Sequence, residues 1–569
     1  MVDVAIIGGG PAGSTCASML LKYNPRLKVV LVEREEFPRD HVGESQLPVI
    51  SRVLEEMGCW NKVEAANFPI KIGATYRWGR TDQLWDFEFI LDGKFVGSAR
   101  PGKYEGERLQ TAFQVDRAVY DKILLDHSRS LGCELRQPVS VRQVLVNGDR
   151  VEGLVLDNGE KIVAKHYIDA SGHAGILRRA VGVEIEAPTS LQNIAIWDYW
   201  QNADWAVSVG VGGTRVQVLS IGYGWIWFIP LSPTRTSMGL IVPASYYKAS
   251  GKRPEELYAE AVAGDAVVQS LIKNATSEGK LTTTKDWSFL ANRLAGENWW
   301  LVGESAGFAD PILSAGMTLA HVGGRDVAYA ILAQERQDYE AEWLRSWYDE
   351  SNRKKIAQHI RFADFWYSAN GLFSDLKEET QRIAKDAGLD MTPDEAWRWL
   401  GTGGFVQAED VGSGHGGYSL GAVKSITGNF LGTGPRYQVE GMNTFQLNLD
   451  GATRSWSARM INGKIERHRT YVRGEASLPN AGIYRLLITA TKDGATAPEL
   501  FQIFAGVRDS ERMAPDQFST FLHDAYFSLE SMICDGWLTA SYDPALPALG
   551  IPEGAEKVIH ANRDNVSPP

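Results

Sequence analysis

The sequence predicts an α/β fold with an antiparallel sheet inserted into it and an α+β region after it. The first 33 residues contain an apolar run, a glycine-rich turn, a helical stretch and a second apolar run, which is the pattern of a β-α-β unit. Residues 190–243 are rich in β-branched and aromatic residues, with turn signals between the runs. This pattern favours an antiparallel sheet, which we place at about 190–290. Beyond about 370 the pattern changes, so we predict a first domain at 1–370 and a second at 371–569.

Composition and charge exclude several classes of protein. A chain of 569 residues with 44% hydrophobic and 22% charged residues is globular and has more than one domain. Its net charge of −12 argues against nucleic acid as a partner and against an anionic membrane surface. The four cysteines form no C-x-x-C pair and the histidines show no ligand spacing, so we expect no metal site and no disulfide framework. No apolar run is long enough to cross a bilayer, and the first residues already form a strand, so we expect a cytoplasmic protein without a signal peptide.

A nucleotide-binding turn follows the first strand. Gly8, Gly10 and Gly13 stand in the order G-x-G-x-x-G, and Pro11 and Ala12 lie between the last two glycines. We expect Gly8 to make the tight turn, Gly10 to let the backbone approach a pyrophosphate, and Gly13 to allow close helix packing. The N-terminus of the helix would then face the phosphate charge.

An acidic residue supports the same site. Glu33 ends the next strand twenty positions after Gly13, which is the spacing at which a carboxylate reaches a ribose hydroxyl. Arg34 follows it directly, and we include both residues in the predicted cofactor site. A glycine-rich turn without a ligand is the alternative, and this context disfavours it.

Two further segments identify the dinucleotide. Asp169-Ala170-Ser171-Gly172 and Gly303-Glu304-Ser305-Ala306-Gly307 each follow an apolar run. Together with Val115-Asp116-Arg117, they resemble the FAD monooxygenases of the para-hydroxybenzoate hydroxylase type over residues 1–330. The resemblance implies a glutathione-reductase-like FAD-binding fold, with Arg117 on the FAD and Glu304 near the ribityl chain. The usual residue in the second motif is aspartate, so Glu304 departs from the family pattern.

A tryptophan motif separates two branches of that superfamily. Trp225-Ile226-Trp227-Phe228-Ile229-Pro230 matches the W-x-W-x-I-P motif of FAD-dependent halogenases. Two indoles beside the flavin would keep an organic substrate away from it, so that only a small anion reaches it. Two tryptophans at this spacing also share one face of any buried strand. With Ile229 and Pro230 in register, we favour the halogenase motif.

Lys71 stands where the halogenases have a lysine in a tunnel away from the flavin. The resemblance implies that reduced FAD (FADH2), O2 and chloride give hypochlorous acid, which is small and unselective. A lysine ammonium would orient that molecule through a hydrogen bond, or a neutral amine would hold it as a chloramine. Burial lowers the pKa of an ammonium, which suits either role. A lone lysine is normally a surface residue, and only the resemblance assigns Lys71 to catalysis.

Two short segments complete the predicted site. Residues 37–45, which end in Glu44 and Ser45, resemble the family segment R-x-G-E-S beside the isoalloxazine ring. The resemblance assigns Ser45 to the FAD, whereas Glu44 is either a structural carboxylate or a member of the active site. It also places the co-substrate chloride at the backbone N–H groups of Ala315 and Gly316, before a helix whose N-terminus suits an anion.

Leu313 bears on the choice of substrate. Tryptophan halogenases carry a glutamate at this position. The chain is more similar to the branch that chlorinates phenols, pyrroles or acyl groups, and overall to halogenases of the type found in chloramphenicol biosynthesis. That resemblance implies antibiotic or secondary-metabolite biosynthesis and chlorination of an activated, enolisable acyl carbon, because a Cl⁺ equivalent needs an electron-rich carbon. A phenol or pyrrole halogenase, a flavin hydroxylase of the same fold, a geranylgeranyl-reductase-like flavoenzyme and a non-catalytic FAD scaffold are the alternatives.

Two protein partners are expected. Only one dinucleotide fingerprint is present, and the resemblance assigns it to FAD, so a separate flavin reductase is needed. We predict that residues 371–569 cover the substrate tunnel and recognise an acyl group bound to a carrier protein. Carrier proteins are usually acidic, so docking needs a basic patch, for which Lys354, Lys355 and Arg361 are the candidates. An ordinary solvated helix face is the simpler interpretation of these three residues.

The C-terminal region has its own local signals. Residues 401–434 are glycine-rich and predict a loop, either a mobile cover or a set of surface turns. Asp450-Gly451 and Asn462-Gly463 each lie between alternating runs and predict hairpin turns. Residues 515–534 predict an amphipathic helix.

Overall fold

The computed structural model describes residues 2–79, 81–90, 95–97, 99–189, 191–372, 385, 420–431, 436–549 and 559–562. They fall into two compact units. The first contains residues up to about 390, with short segments at 462–464 and near 560, and the second contains the rest of the chain between 391 and 559. Within the described ranges, no helix is long and apolar enough to span a membrane.

A parallel sheet lies at the centre of the first unit and confirms the predicted α/β fold class. Its strands, in spatial order, are β19 (Trp299–Leu301), β10 (Ala164–Asp169), β1 (Val2–Ile7), β2 (Val29–Val32) and β6 (Glu134–Arg136). Every neighbouring pair is parallel. Burial on both faces explains why residues 4–7 of β1 and all of β2 are continuous apolar runs that do not alternate. Helix α1 (Pro11–Tyr23) joins β1 to β2.

The antiparallel sheet of the first unit is larger than residues 190–290 alone. Its strands, in spatial order, are β16 (Thr276–Ser277), β12 (Gln192–Gln201), β15 (Arg235–Pro243), β14 (Gly224–Pro230), β13 (Gly213–Ile221), β3 (Ile70–Arg77) and β4 (Trp85–Glu88). β17 (Thr282–Trp287) also pairs with β12, and β5 (Ala112–Phe113) pairs with β3. The pair β3–β13 is parallel, since β3 enters the sheet from a distant part of the chain.

Helices and small sheets surround these two sheets. The other helices of the first unit are α2 (Pro48–Met57), α3 (Trp60–Ala65), α4 (Arg117–Ser130), α5 (Ile176–Ala180), α6 (Ala244–Ser250), α7 (Pro254–Gly264), α8 (Ala266–Ile272), α9 (Ala315–Arg336) and α10 (Ala341–Ser368). One small sheet contains β7 (Val141–Asn147), β8 (Arg150–Leu156) and β9 (Lys161–Ile162), and another contains β11 (Ile185–Glu186), β18 (Phe289–Ala291) and β20 (Gly307–Phe308).

The second unit is α+β and has its own core. Its helices are α11 (Leu420–Leu431), α12 (Gly482–Thr491), α13 (Ala497–Glu511) and α14 (Pro515–Cys534). Its strands are β21 (Thr444–Leu447), β22 (Thr453–Ile461), β23 (Lys464–Arg473), β24 (Ala476–Pro479), β25 (Ala495–Thr496) and β26 (Leu538–Ser541). The strand β27 (Ile559–Ala561) instead follows β4 at the edge of the large antiparallel sheet. Buried side chains such as Phe445, Leu529 and Trp537 form the core. The helix predicted at 515–534 has the bounds of α14.

Two predictions for this region need correction. Residues 420–431, inside the predicted loop, form α11, because Val423, Ile426 and Phe430 recur at helical spacing and are buried. The remainder of 401–434 lies outside the described residues. Asp450-Gly451 makes a turn but not a hairpin, since β21 pairs with β25 and β26 and not with β22. Asn462-Gly463, where both residues have positive φ, does join the paired strands β22 and β23.

Candidate active site

The glycine-rich turn after β1 forms one end of a cavity in the first unit. Gly8 has a φ of +105°, and a Cβ there would lie 2.3 Å from the Ala170 oxygen. A Cβ on Gly13 would lie 2.0 Å from the Gly8 oxygen, so α1 approaches the turn only without a side chain there. At Gly10 the nearest atom to an added Cβ is Nη2 of Arg39, at 3.7 Å. The structure therefore leaves room for a phosphate group beside Gly10, at the N-terminus of α1.

Glu33 stabilises this turn. Its Oε2 accepts a 2.7 Å hydrogen bond from the backbone N–H of Gly9, and its Oε1 accepts one of 2.9 Å from the N–H of Glu35. The carboxylate is buried and lines the cavity, so it orders the turn and remains next to the ligand space. Arg34 also borders the cavity, but its side chain is 65% exposed and pairs with Glu35.

A cavity of about 640 Å³ brings most of the predicted site together. The predicted residues that line it are Gly8, Gly10, Pro11, Ala12, Glu33, Arg34, Glu44, Ser45, Arg117, Trp225, Trp227, Ile229, Glu304 and Gly316. Four other predicted residues do not line the cavity, namely Gly13, Lys71, Pro230 and Ala315.

Arg117 is fixed by protein contacts at the cavity wall. Its Nε and Nη2 donate to the two carboxylate oxygens of Asp121 at 2.7 and 2.9 Å. Its Nη1 donates to the carbonyls of Val42 and Gly43 at 3.0 and 2.9 Å. The arginine therefore holds the segment that leads to Glu44 against α4. Sequence reasoning missed Asp121, although its position four residues after Arg117 in a helix is a recognisable signal.

The residues around the cavity fit FAD. The Ser45 hydroxyl is buried and has no hydrogen-bond partner among the described residues, so it is available to a ligand. Burial raises the pKa of the Glu304 carboxyl, while the neighbouring Arg117 and His173 oppose that shift. Glu304 and Ser45 therefore offer hydrogen bonds to a hydroxylated chain, and the clearance at Gly10 accommodates a pyrophosphate. Among the described residues, no group of His, Cys, Asp and Glu has the arrangement of a metal site.

Strand β14 presents the tryptophan motif to the cavity. Trp225, Trp227 and Ile229 line it, whereas Ile226 and Phe228 point to the opposite face and join the hydrophobic core. The two indoles are 6.2 Å apart between ring centroids. Trp227 packs over Gly239 of the neighbouring strand, where a Cβ would lie 2.1 Å from the indole. Pro230 ends the strand and does not reach the cavity.

A buried hydrogen-bond network connects Trp225 to the start of α9. The Trp225 indole N–H donates to the Tyr367 hydroxyl at 2.7 Å, and Tyr367 lies 3.1 Å from both carboxylate oxygens of Asp310. Asn193 donates to Asp310 at 2.8 Å. Asp310 in turn caps the short 3-10 helix Pro311–Leu313 through the N–H of Ile312. Burial raises the pKa of Asp310 to about 6, despite these hydrogen bonds.

The residues of this network were not predicted as a unit. Tyr367 belongs to an aromatic run at the end of α10, which is equally typical of core packing. Asn193 carries no sequence signal that we recognise. Only the fold, which brings β12, β14 and α10 together, shows that these polar groups meet.

Lys71 is buried beside the turn that leads into α9. Its Nζ donates to the Ser314 hydroxyl at 3.3 Å and lies 5.4 Å from the centroid of the Phe89 ring. Burial lowers the pKa of the Lys71 ammonium to about 7. Ser314 lines the cavity and has a φ of +56°, and α9 begins at the next residue, Ala315. The amine and the cavity thus approach the same turn, and Leu313, next to Ser314, is an apolar buried side chain.

Glu44 is a buried carboxyl in the cavity wall. Burial raises its pKa to about 7, although the hydroxyls of Ser237 and Tyr199 lie close enough to lower it. Ser237 also accepts a 3.1 Å hydrogen bond from the Trp227 indole. At neutral pH the carboxyl therefore exchanges a proton readily, which suits an acid–base role as well as a structural one.

The three residues predicted to form a basic docking patch do not present an open basic face. The ammonium of Lys355 pairs with Asp326 at 2.7 Å, and its side chain is only 11% exposed. Lys354 and Arg361 are half-buried on the same helix, α10.

Comparison with known proteins agrees with this geometry. The tryptophan halogenase family model matches residues 3–104 and 90–372. The chain is 32% identical over 389 residues to a 1H-pyrrole-2-carbonyl-(peptidyl-carrier protein) chlorinase of Pseudomonas fluorescens, covering 65% of this chain and 85% of that protein. It is also 32% identical over 325 residues to a tryptophan 2-halogenase of Chondromyces crocatus, covering 56% of this chain and 58% of that protein, so it spans little more than half of that relative.

One solved structure resembles the chain over nearly its whole length. The fold of CmlS, described as a flavin-dependent halogenase, superposes with a TM-score of 0.71 and covers 97% of this chain and 98% of CmlS. The identity is 23%, so this likeness shows the fold. It includes the region beyond residue 372, which the family model does not match.

Proposed function

The chain belongs to the tryptophan halogenase family of flavin-dependent enzymes, and from this premise we propose that it chlorinates an enolisable acyl carbon carried as a thioester on a carrier protein. Its cofactor is FAD, used in reduced form with a halide. The observation that carries the proposed chemistry is the contact between Lys71 and Ser314 at the start of α9.

Reduced FAD and O2 supply the two-electron oxidant that turns chloride into hypochlorous acid. The isoalloxazine and ribityl end of the FAD would be held by Glu44, Ser45, Arg117 and Glu304. The pyrophosphate would lie at the turn that contains Gly10. Trp225 and Trp227 line the wall of the same cavity, where bulky side chains exclude an organic substrate. Hypochlorous acid, which is small, must then leave this part of the cavity to meet the substrate carbon.

Lys71 is suited to carry the chlorine. With a pKa of about 7, the amine is close to half neutral at neutral pH. Its lone pair attacks the chlorine of hypochlorous acid, so an N–Cl bond forms, the O–Cl bond breaks, and water leaves after a proton transfer. The chloramine then gives chlorine to a carbanion equivalent, the N–Cl electron pair stays on nitrogen, and a proton restores the amine. Glu44, with its own pKa near 7, is available as a proton donor or acceptor in the cavity.

Leu313 supports a substrate other than a free indole. This buried leucine replaces the carboxylate that would polarise the oxidant toward an indole ring. Without that help the carbon itself must be strongly nucleophilic. A thioester acidifies its α-proton, and the resulting enolate meets this need. The P. fluorescens relative, whose name describes a substrate on a peptidyl-carrier protein, supports a carrier-bound substrate here.

The same relative supports a second candidate, a carrier-bound pyrrole. A pyrrole is electron-rich enough to react without a neighbouring carboxylate. The two candidates share Lys71, the carrier and the cofactor, and differ only in the carbon that accepts chlorine.

A direct comparison of substrates tests the proposal. Four substrates are compared at equal concentration: an acetoacetyl thioester on a carrier protein, a pyrrolyl thioester on the same carrier, free acetoacetate and a simple phenol. Each is supplied with reduced FAD, O2 and chloride, and the products are identified by mass spectrometry. We expect the acetoacetyl carrier to gain chlorine fastest. Preference for the phenol would reject the acyl substrate, equal rates for free acetoacetate would reject the carrier, and a faster pyrrolyl carrier would select the second candidate.

A separate flavin reductase is part of this proposal. We expect the protein with bound FAD to oxidise NADPH no faster than a matched solution of free FAD, and to make product only when a reductase or chemically reduced flavin is added. Efficient NADPH oxidation by this chain alone would contradict it.

A further inference from the structure

The hairpin β22–β23 of the second unit carries an exposed aromatic and basic face. Trp456 is 44% exposed, which is unusual for a tryptophan. The guanidinium of Arg467 lies 4.6 Å from its ring centroid, and that of Arg469 lies 5.9 Å away. Arg454 is exposed on the same strand, two residues before Trp456. We call Arg454, Trp456, Arg467 and Arg469 the hairpin face.

The hairpin is positively charged, whereas the whole chain is negatively charged. Six cations stand between Thr453 and Arg473, against the single acid Glu466. The chain as a whole carries −12. Arg473 has a structural role, because its guanidinium packs 4.4 Å from the Trp537 ring and donates to the Asp450 carbonyl. In the hairpin face, Arg454 and Arg469 are instead exposed, and Arg467 is half-buried beside the indole.

This arrangement suits a negatively charged protein surface. The exposed cations Arg454 and Arg469 stand near one indole, and arginine recognises carboxylates and phosphates through paired hydrogen bonds. Tryptophan and arginine are also enriched among the residues that contribute most of the binding energy at protein interfaces. Both features favour a protein partner over a small anion.

We propose that the hairpin face docks the acidic carrier protein that presents the acyl thioester, an inference that rests on the proposed function. Charges farther apart than about 8 Å are screened at physiological salt, so a partner at this face meets the local positive charge more than the net negative charge of the chain. A compact carrier then meets the local positive charge of the face. A long polyanion such as DNA would also run along the acidic remainder of the chain, which repels it. The face lies beyond residue 372, so it is specific to chains that have this second unit.

Charge reversal at two exposed positions tests the docking face. Arg454→Glu with Arg469→Glu removes two cations without touching a buried residue. The matched control is Arg142→Glu with Lys161→Glu, two exposed cations on the small sheet of the first unit. The probe is a dye-labelled acidic acyl carrier protein loaded with an acetoacetyl group, and binding is measured by anisotropy in potassium acetate at fixed chloride.

We expect the Arg454/Arg469 pair to weaken carrier binding about tenfold or more and to flatten its salt dependence, while the control pair stays within about twofold of wild type. Turnover of acetoacetyl-pantetheine, which has no carrier, should be unchanged in both variants. Unfolding temperatures of all three proteins show whether the fold is intact.

The outcomes separate this inference from the proposed function. If wild type prefers the carrier-bound thioester to the pantetheine thioester but the Arg454/Arg469 pair behaves like wild type, the docking face is wrong and the proposed function stands. If wild type shows no such preference, the carrier-bound substrate is wrong and the docking face falls with it. If a random-sequence DNA duplex binds more tightly than the carrier and the pair abolishes that binding, the partner is a nucleic acid and the inference is overturned.

Discussion

The indole N–H of Trp225 donates a 2.7 Å hydrogen bond to the hydroxyl of Tyr367. The same hydroxyl lies 3.1 Å from the Asp310 carboxylate, which caps the short helix just before Ser314 and Ala315. One phenol therefore connects the tryptophan wall of the cavity to the turn beside Lys71. The orientation of the indole and the geometry of the turn are set by the same group.

Tyr367→Phe should uncouple oxidant formation from chlorination. Removal of the hydroxyl leaves the Trp225 N–H and one side of Asp310 without their buried partner, which costs about 1–3 kcal/mol of stability. A less constrained indole and turn should also let more oxidant escape. We expect the ratio of chlorinated product to O2 consumed to fall several-fold, measured with an oxygen electrode and mass detection.

Tyr258→Phe is the matched control for this change. Its hydroxyl also accepts an indole hydrogen bond, from Trp200 at 3.0 Å, and donates to the Met238 carbonyl of the same sheet. We expect a similar loss of stability and an unchanged ratio of product to O2. An equal fall of that ratio in both variants would show that Tyr367 acts only through general stability.

Gly10→Ala should weaken FAD binding without destabilising the protein. An added Cβ at Gly10 has only Arg39 within 4 Å, so the fold accommodates it, but it fills the space next to the helix N-terminus. At Gly13 the added Cβ would lie 2.0 Å from the Gly8 oxygen, so Gly13→Ala should instead lower the unfolding temperature. Flavin titration and thermal unfolding of the FAD-free proteins distinguish the two effects. Unchanged FAD affinity in Gly10→Ala would remove this turn from the cofactor site.

Lys71→Ala should abolish chlorinated product, a loss of about two orders of magnitude or more, while hypochlorous acid still forms and can be trapped by taurine. Lys71→Arg distinguishes the two roles of the lysine, because a guanidinium keeps its charge and cannot serve as the neutral amine. If the chloramine carries the chlorine, Lys71→Arg is as inactive as Lys71→Ala. Chlorination by the arginine variant would instead assign a hydrogen-bonding role to the ammonium.

The pH dependence of Lys71 follows from the direction of its shift. Burial lowers its pKa to about 7, so the neutral amine becomes tenfold scarcer for each pH unit below that value and saturates above it. We expect the single-turnover rate of chlorine transfer to rise as the pH rises toward about 7. A rate that stays constant or falls as the pH rises from about 5 to about 7 would contradict the chloramine route.

Glu44→Gln should change the pH dependence of stability. The pKa of Glu44 is about 7 in the folded chain against 4.5 for an ordinary glutamate, so between these values the folded state holds a proton that the unfolded chain has released. The stability contributed by this group is therefore present below pH 4.5 and is lost as the pH rises through 7. We compare the free energy of unfolding of the glutamine variant with that of wild type. This difference should shift in favour of the variant by up to about 3 kcal/mol between pH 4 and pH 8.

Urea unfolding of both proteins at pH 4, 6 and 8 measures this effect. The exposed Glu255→Gln variant serves as the reference for a glutamate-to-glutamine change on the surface. A constant difference between Glu44→Gln and wild type across this range would show that folding does not raise the pKa of Glu44.

Local patterns were enough to predict the β-α-β unit and the antiparallel sheet, whereas the resemblance to FAD monooxygenases was needed to identify the cofactor. The strands β1 and β2 are apolar runs, and the segment from β1 into α1 contains Gly8 and Gly13, where any added Cβ would collide with backbone oxygens. These features are local, so they are visible in the sequence. α11 was missed because glycines around it obscured the helical spacing of Val423, Ile426 and Phe430.

Contacts between distant segments could not be predicted in this way. Asp310 and Tyr367 meet only because α10 packs against the turn at 311–313, and the parallel pairing of β3 with β13 sets the position of Lys71. The basic docking patch was predicted on α10, where Lys355 is in fact paired with Asp326. Charge in a sequence does not reveal which charges are neutralised in the fold.

Strand β14 limits how enzymes of this architecture can diversify. Its side chains alternate between the cavity and the core, so substitution of Trp225, Trp227 or Ile229 alters the cavity while Ile226 and Phe228 keep the sheet packed. Insertion or deletion of one residue would exchange the two faces and bring the core side chains to the cavity. Point substitution at three alternate positions can therefore reshape the cavity without disturbing the core, whereas a change in strand length would disturb both at once.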